Sequence, residues 1–180
     1  MRVGQNFAKA LTCWGIVVVL CLSPAAIAYA KSNTLSDSDA DTMERLWEAL
    51  YSATNEVIEA AKTASSNPGL QRCLLQLHEE STSVVQAAAA LRTFTQLASV
   101  MLNTMDELMV LEAMQTWFNA LSQREVPITR RRLNEAMTSR QCAGFALVAS
   151  KGQAILNVLS QLSEHMASMQ SRAARAIPAR

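Results

Sequence analysis

Residues 43–77 read MERLWEALYSATNEVIEAAKTASSNPGLQRCLLQL, and this stretch decides the fold. Its apolar residues recur every three or four positions, which is the period of one face of an α-helix. An N-cap at Asp39 or Asp41, with Glu44 in the first turn, suits the positive end of a helix dipole. The run Ser-Ser-Asn-Pro-Gly at 65–69 then ends the helix by turn chemistry. We therefore predict an amphipathic first helix followed by a tight turn; its apolar stripe is Met43, Leu46, Trp47, Leu50, Val57, Ile58 and Ala61.

The chain beyond this turn keeps a helical rhythm with few breaking residues. Neither Gly nor Pro occurs in residues 70–126. Thr104 with Glu107 three residues later forms a capping box, in which each side chain satisfies a free backbone donor, and this predicts a break between a second and a third helix. The third helix then ends before Pro127, because the residue preceding a proline avoids helical geometry.

The last predicted helix has Pro127 in its first turn and runs from Ile128 to near Met169. Gly144 and Gly152 lie within it, and their eight-residue spacing puts them near one face. Either the close approach of a neighbouring helix or a kink accounts for them. Four helices joined by short connections favour an antiparallel bundle. The predicted fold class is therefore all-α, an antiparallel bundle of about four helices.

The first thirty residues have the three parts of a secretory signal peptide. Arg2 and Lys9 give a positive start, an apolar run follows at 10–22, and Ala28-Tyr29-Ala30 places small residues at −3 and −1. An uncleaved membrane anchor is the alternative, but the run is shorter than the roughly 20 apolar residues of a span, and no later run is longer. This reading divides the chain into a signal peptide at 1–30, a flexible segment at 31–41, a bundle domain at 42–170 and a basic tail at 171–180.

Four cysteines are present, and two of them leave with the predicted signal peptide. Cys73 and Cys142 remain, which is an even pair in an oxidising compartment, so we predict a disulfide bond. Two buried free thiols are the alternative. Two cysteines this far apart do not indicate a zinc site, which needs four close ligands.

Charge is divided unevenly along the chain. Residues 31–80 carry four basic and nine acidic residues, whereas residues 124–180 carry nine basic and three acidic residues. The densest cluster is Arg130-Arg131-Arg132, which we interpret either as a solvated helix end or as a contact for an acidic partner protein or anionic lipid. Nucleic acid is not an expected partner, because the whole chain has a net charge of only +1 and no aromatic residues interleave the arginines.

Met43 and His165 offer one specific cofactor hypothesis. The start of the first helix and the end of the last lie at the same end of an antiparallel four-helix bundle. A methionine early and a histidine late resemble the haem ligands of soluble cytochromes of the b562 type, and Asp41-Thr42-Met43-Glu44 resembles the start of that family. The resemblance implies a b-type haem between Met43 and His165, whereas the apolar stripe explains Met43 as a core residue. No metal-ligand spacing and no serine-nucleophile motif is present in the sequence.

These observations favour a non-enzymatic protein that acts through protein–protein contact in the periplasm or after secretion. Accessory proteins of secretion or conjugation systems and immunity-type proteins are examples by analogy of fold. The partner is not identified, and self-association is left open. The arginine cluster is the first expected contact site, with no catalytic, metal or cofactor residue assigned. The alternative is a periplasmic carrier of a cofactor or small ligand, with the b-type haem bundle as its specific form.

Overall fold

The computed structural model describes residues 37–101 and 107–176, in which every regular element is helical. In chain order the elements are α1 (Asp37–Thr63), a 3-10 turn (Ala64–Ser66), α2 (Pro68–Met101), α3 (Glu107–Asn119), a π-helical segment (Ala120–Glu125), α4 (Val126–Thr138) and α5 (Ala146–Ala176). Because α3, the π-helical segment and α4 follow one another without interruption, the elements form four helical arms. The predicted all-α class with four helices is therefore confirmed.

Several predicted boundaries can be compared with these elements. α1 begins at Asp37, ahead of the predicted cap, so residues 37–41 of the segment expected to be flexible are helical. α5 continues to Ala176, well into the predicted tail. The signal peptide predicted at 1–30 and the capping-box residue Thr104 lie outside the described residues.

The turn between α1 and α2 follows the chemistry of its sequence. Asn67 caps α2, because its side-chain Oδ1 accepts a hydrogen bond of 3.1 Å from the backbone N–H of Leu70. Pro68 occupies the first position of α2, where a missing N–H costs nothing. The backbone N–H of Asn67 donates to the carbonyl of Ala64, which closes the 3-10 turn. The predicted end of the first helix in this run is confirmed.

The four arms run antiparallel and pack as a four-sided bundle. α1 packs against α2 and α5, and α4 packs against the same two helices on the opposite side. Side chains early in one arm pair with side chains late in its neighbour, which fixes each register in the antiparallel sense. These pairs are Glu44 with Arg92, Glu80 with Arg132, Arg130 with Ser160, and Asp39 with Arg172.

The predicted end of the third helix before Pro127 is wrong. The helix passes through this residue, which lies in the first turn of α4, directly after the π-helical segment. Proline lacks an N–H and its ring collides with the preceding turn of an α-helix, and the wider π turn lets the helix continue past that point. Leu121 and Val126 are both buried. Continuing the helix therefore keeps apolar residues on both sides of the π turn in the core.

The predicted uninterrupted last helix is also wrong, because the chain breaks between α4 and α5. Residues 139–145 form a turn in which the N–H groups of Cys142 and Ala143 both donate to the carbonyl of Ser139. Gly144 lies in this turn, with open space around it. Gly152 lies in α5, where an added Cβ atom would come within 2.2 Å of the sulfur of Met137 on α4. Close helix approach therefore explains Gly152, and the turn explains Gly144.

The predicted disulfide bond is confirmed. It joins Cys73, in the second turn of α2, to Cys142 in the turn before α5, with the two Cα atoms 5.7 Å apart. Both residues are buried. The bond closes the bundle at the end where α1 meets α2.

The core lies along the bundle axis and receives side chains from every arm. The largest fully buried side chains are Phe118, Met43, Leu50, Leu74, Leu77, Leu91, Leu121, Leu133, Ile155 and Leu159.

Within the two described stretches, every helix is too short or too polar to cross a membrane.

Candidate functional site

The three consecutive arginines of α4 do not form one patch. Arg130 donates to the hydroxyl of Ser160 on α5. Arg132 donates to Glu80 on α2 over 3.3 Å. Arg131 lies between them with 70 % of its side chain exposed.

Helical geometry explains this divergence, because successive residues point about 100° apart around the axis. Arg130 and Arg132 therefore reach the two neighbouring arms and hold α4 between them. Arg131 points outward, and its only ion pair in the described chain is a 3.7 Å contact with Glu135 one turn later. Of the predicted partner-contact residues, Arg131 is the more exposed, with 70 % of its side chain open to solvent against 53 % for Arg132.

A second cluster of residues known for protein contacts lies between α1 and α2. The rings of Trp47 and Tyr51 are stacked with their centroids 5.4 Å apart and an angle of 19° between their planes. The guanidinium of Arg92 lies over the Trp47 ring, 4.1 Å from its centroid. Glu44 pairs with Arg92 and also accepts a 2.7 Å hydrogen bond from Gln96. We call Glu44, Trp47, Tyr51 and Arg92 the aromatic platform.

The aromatic platform is ordered on its inner side and open on its outer side. Arg92 and Glu44 each retain 27 % exposure, so their ion pair is partly shielded from water. A cation over a tryptophan face contributes about 1 kcal/mol, which further fixes the position of Trp47. Tyr51 at the outer edge is 49 % exposed. The arrangement presents an exposed tyrosine ring beside a partly buried tryptophan, and both rings are held by their neighbours.

Sequence reasoning placed Trp47 on the apolar stripe but did not identify the platform. The four-residue spacing of Trp47 and Tyr51 puts the two rings on one side of a helix, and this signal was present in the sequence. Nothing in the sequence indicated that Arg92 of another helix lies over Trp47.

Met43 and His165 lie toward the same end of the bundle, as the antiparallel fold requires. Met43 is fully buried in the apolar core. His165 Nε2 lies 3.9 Å from a carboxylate oxygen of Asp39, which also accepts a hydrogen bond from Arg172. Desolvation by burial lowers the pKa of His165, and the charge and backbone of Asp39 offset part of this effect.

The surroundings of His165 do not fit haem binding. His165 borders an open groove of about 490 Å³ between α1 and α5, and Met43 is not among the residues that line it. Met43 is fully buried, so its thioether does not reach the groove that the imidazole borders. No group of three or more His, Cys, Asp or Glu side chains that would suit a metal ion is found in residues 37–101 and 107–176. The groove is lined by Thr42, Arg45, Leu46, Ala49, Gln161, Glu164 and His165.

Comparisons with protein-family models, with curated proteins and with solved structures find no match to this chain.

Proposed function

We propose that this protein is an exported, non-enzymatic helical bundle that acts by binding another protein through its aromatic platform. The observation that carries the proposal is the stacked pair of Trp47 and half-exposed Tyr51, with Arg92 over Trp47. Tryptophan, tyrosine and arginine are the residues most enriched among those that dominate binding energy at protein interfaces. All three meet here on one face.

Pre-organisation supports the same proposal. A binding surface loses about 0.5–1.5 kcal/mol for each flexible side chain that it must immobilise. Trp47 is already held between Tyr51 and Arg92, and Arg92 is held by Glu44. A partner that covers Tyr51 therefore binds side chains that folding has already ordered.

Export is supported by two independent features. The signal-peptide pattern at 1–30 predicts cleavage after Ala30. The bond between Cys73 and Cys142 is of the kind that persists in oxidising compartments such as the periplasm or the extracellular medium. We propose a periplasmic or secreted protein, for which accessory proteins of secretion or conjugation systems and immunity-type proteins are the suggested classes.

Partner capture from the exported fraction tests the binding proposal. Tyr51→Ala is expected to weaken binding of the captured protein by about 30-fold or more, because truncating a central aromatic residue typically removes about 2 kcal/mol or more. Leu75→Ala is the matched control, since Leu75 is a comparably exposed apolar residue at 44 % on the outer side of α2. Dissociation constants from biolayer interferometry give the comparison. Equal weakening by both substitutions, or no effect of Tyr51→Ala, would contradict the proposal.

The arginine hypothesis needs a separate variant. Replacing Arg130 or Arg132 also removes a contact between helices, so a loss of binding would be ambiguous. Arg131→Ser removes an outward charge and its exposed pair with Glu135 on the same helix, and leaves the contacts of Arg130 and Arg132 with neighbouring helices in place. Reduced capture by Arg131→Ser with an unchanged melting temperature would extend the binding surface to α4.

Export is tested by the intact mass of protein recovered from the periplasm. We expect a chain that begins at Lys31 and is two hydrogens lighter than its sequence because of the disulfide. Recovery of a chain that still carries residues 1–30 would contradict the cleavage prediction.

A further inference from the structure

The sequence of α1 repeats one spacing of side chains at two successive turns. Glu44 is followed three residues later by Trp47, and Glu48 is followed three residues later by Tyr51. Residues three apart are neighbours on the surface of a helix, so each turn places a carboxylate beside an aromatic ring. The two pairs are four residues apart, which rotates the second by only about 40° from the first.

At the first turn, a basic residue of another helix completes the arrangement. Arg92 of α2 pairs with Glu44 and lies over the ring of Trp47, 4.1 Å from its centroid. A carboxylate beside an aromatic ring offers one cation two attractions, an ion pair and a cation–π contact. The molecule itself therefore shows which kind of group this pair of side chains binds.

At the second turn, the rotation carries the pair outward. Trp47 is partly buried, whereas Tyr51 is 49 % exposed and Glu48 is exposed as well. Trp47 stacks against the Tyr51 ring and covers part of it, which leaves the rest open to solvent. In the described chain, no basic side chain forms an ion pair with Glu48 or lies over the ring of Tyr51. The second turn therefore has the carboxylate and the ring, and lacks an internal cation.

The two basic residues of α1 are directed elsewhere. Arg45 points back toward the start of the helix, where it donates to the hydroxyl of Thr42 over 3.1 Å. Lys62 lies near the opposite end of α1 and pairs with a glutamate of its own turn. Neither of them neutralises Glu48.

A groove of about 580 Å³ extends from Tyr51 along α1, and its charges agree with a basic occupant. Glu56 and Glu59 line this groove, and their side chains are 59 % and 66 % exposed. The basic residue in its lining is Lys151 of α5, which pairs with Glu56 over 2.7 Å. Each of these two acids has one lysine partner, so the unpaired charge beside Tyr51 is the carboxylate of Glu48.

We propose that the partner protein presents a lysine or arginine side chain that pairs with Glu48 and packs on the exposed part of the Tyr51 ring. This cation would repeat the contact that Arg92 makes at the first turn. The basic contact rests on the proposed function, because it describes the partner of the same aromatic platform.

The alternatives to a basic partner all leave Glu48 in an unfavourable environment. An acidic partner, or a surface of anionic lipid, would bring like charges together, which costs binding energy. An uncharged partner would take the carboxylate out of water without pairing it, and burying an unpaired charge is expensive. A basic segment is the one occupant that attracts both the ring and the carboxylate.

A short capped peptide of alternating arginine and glycine is the probe, and the full exported protein is its target. NMR signals of the Tyr51 ring report binding at this surface. We expect the arginine peptide to shift these signals, and a peptide with glutamate in place of arginine to leave them unchanged. Glu48→Gln should raise the Kd for the arginine peptide by about threefold, the effect typical of one exposed ion pair.

Glu79→Gln is the matched control on α2. Glu79 is exposed and has no ion pair among the described residues. It points away from the core, because its neighbours His78 and Glu80 reach α1 and α4 on either side. Its replacement should leave the Kd unchanged. Circular dichroism checks that both variants are folded, which we expect since both side chains are exposed.

Three results would overturn the basic contact. One is a set of Tyr51 signals that stays unmoved up to about 5 mM arginine peptide, a concentration that detects a millimolar Kd. Another is an equal shift of these signals by the glutamate peptide. The third is equal weakening by Glu48→Gln and Glu79→Gln, since the attraction would then come from the general charge of the protein.

The same variants, measured against the protein captured from the exported fraction, separate this inference from the proposed function. Binding that Tyr51→Ala weakens and Glu48→Gln leaves unchanged would reject the basic contact and keep the aromatic platform as the binding surface. Binding that neither substitution changes would reject the proposed function itself. We expect both substitutions to weaken binding, with the larger effect from Tyr51→Ala.

Discussion

Replacing Gly152 with alanine is expected to destabilise the bundle, and the side chain of Met137 is the reason. The added Cβ atom would lie 2.2 Å from the sulfur and 2.8 Å from the Cγ atom of Met137. A clash with the terminal methyl group alone would be relieved by rotation at the end of the side chain. A clash that includes Cγ requires the whole side chain, or α4 itself, to move.

Two opposing free energies set the size of the effect. Alanine is more favourable than glycine inside a helix by about 1 kcal/mol. Overfilling a packed contact costs typically about 1–3 kcal/mol, and the depth of this overlap places it toward the upper part of that range. Gly152→Ala should therefore lower the free energy of unfolding by about 1–2 kcal/mol. In a Met137→Ala background the clash is absent, and the same substitution should instead stabilise by about 1 kcal/mol.

Urea unfolding of four proteins tests this reversal of sign. Unfolding is followed by circular dichroism at about 222 nm, which measures helix content. The four are the wild type, Gly152→Ala, Met137→Ala and the double variant, which together give a coupling energy of about 2–3 kcal/mol. The reasoning would be refuted if Gly152→Ala changed stability by the same amount in both backgrounds, within about 0.5 kcal/mol. In that case the contact between α4 and α5 would not be the reason for the glycine.

The remaining predictions concern the disulfide and the partly buried His165. Replacing both Cys73 and Cys142 with alanine should lower the free energy of unfolding by about 4 kcal/mol, because the bond closes a loop with a sequence separation of 69 residues. A loss below about 1 kcal/mol, measured by urea unfolding, would contradict this loop-closure account. Burial lowers the pKa of His165 below its ordinary value of 6.5, with Asp39 opposing the shift, so the unfolded chain takes up a proton before the folded protein does. The stability that depends on neutral His165 is therefore fully present above about pH 6.5. It falls as the pH drops toward the lowered pKa of His165 in the folded state. Melting temperatures measured across this range should lose part of their pH dependence in His165→Gln, and equal slopes in wild type and His165→Gln would contradict the assignment.

The parts of the fold that follow from local chemistry were predictable from the sequence. The apolar stripe of α1 and the cap at Asn67 depend only on residues near to them in the chain. The disulfide was predictable because only Cys73 and Cys142 remain after the predicted signal. These features need no knowledge of how distant helices pack.

The error at Pro127 shows where local chemistry is insufficient. Proline predicts a helix end, but the core favours continuation, because Leu121 and Val126 are both buried. Their five-residue spacing departs from the α-helical period of three or four and corresponds to a π turn, whose hydrogen bonds join residues five apart. That spacing was visible in the sequence. The break at 139–145 carried a weaker signal, because Gly144 was equally compatible with a kinked helix.

The candidate sites were predicted less well, because they depend on contacts between helices. A run of three arginines suggests one basic patch, yet any three consecutive residues of a helix spread over about 200°. This divergence follows from geometry and was predictable. The aromatic platform was not, because Arg92 reaches Trp47 only through the register between α1 and α2.

The disulfide also determines how the protein would respond to mechanical force. The covalent loop between Cys73 and Cys142 contains most of α2 and all of α3 and α4, whereas α1 and α5 lie outside it. The pairing of Asp39 with Arg172 places the start of α1 and the end of α5 at the same end of the bundle. Tension between these two points would separate α1 from α5 one turn at a time, starting at that end of the bundle. When the tension reached the sulfur atoms it would pass directly between them, and the three enclosed helices would carry none of the load.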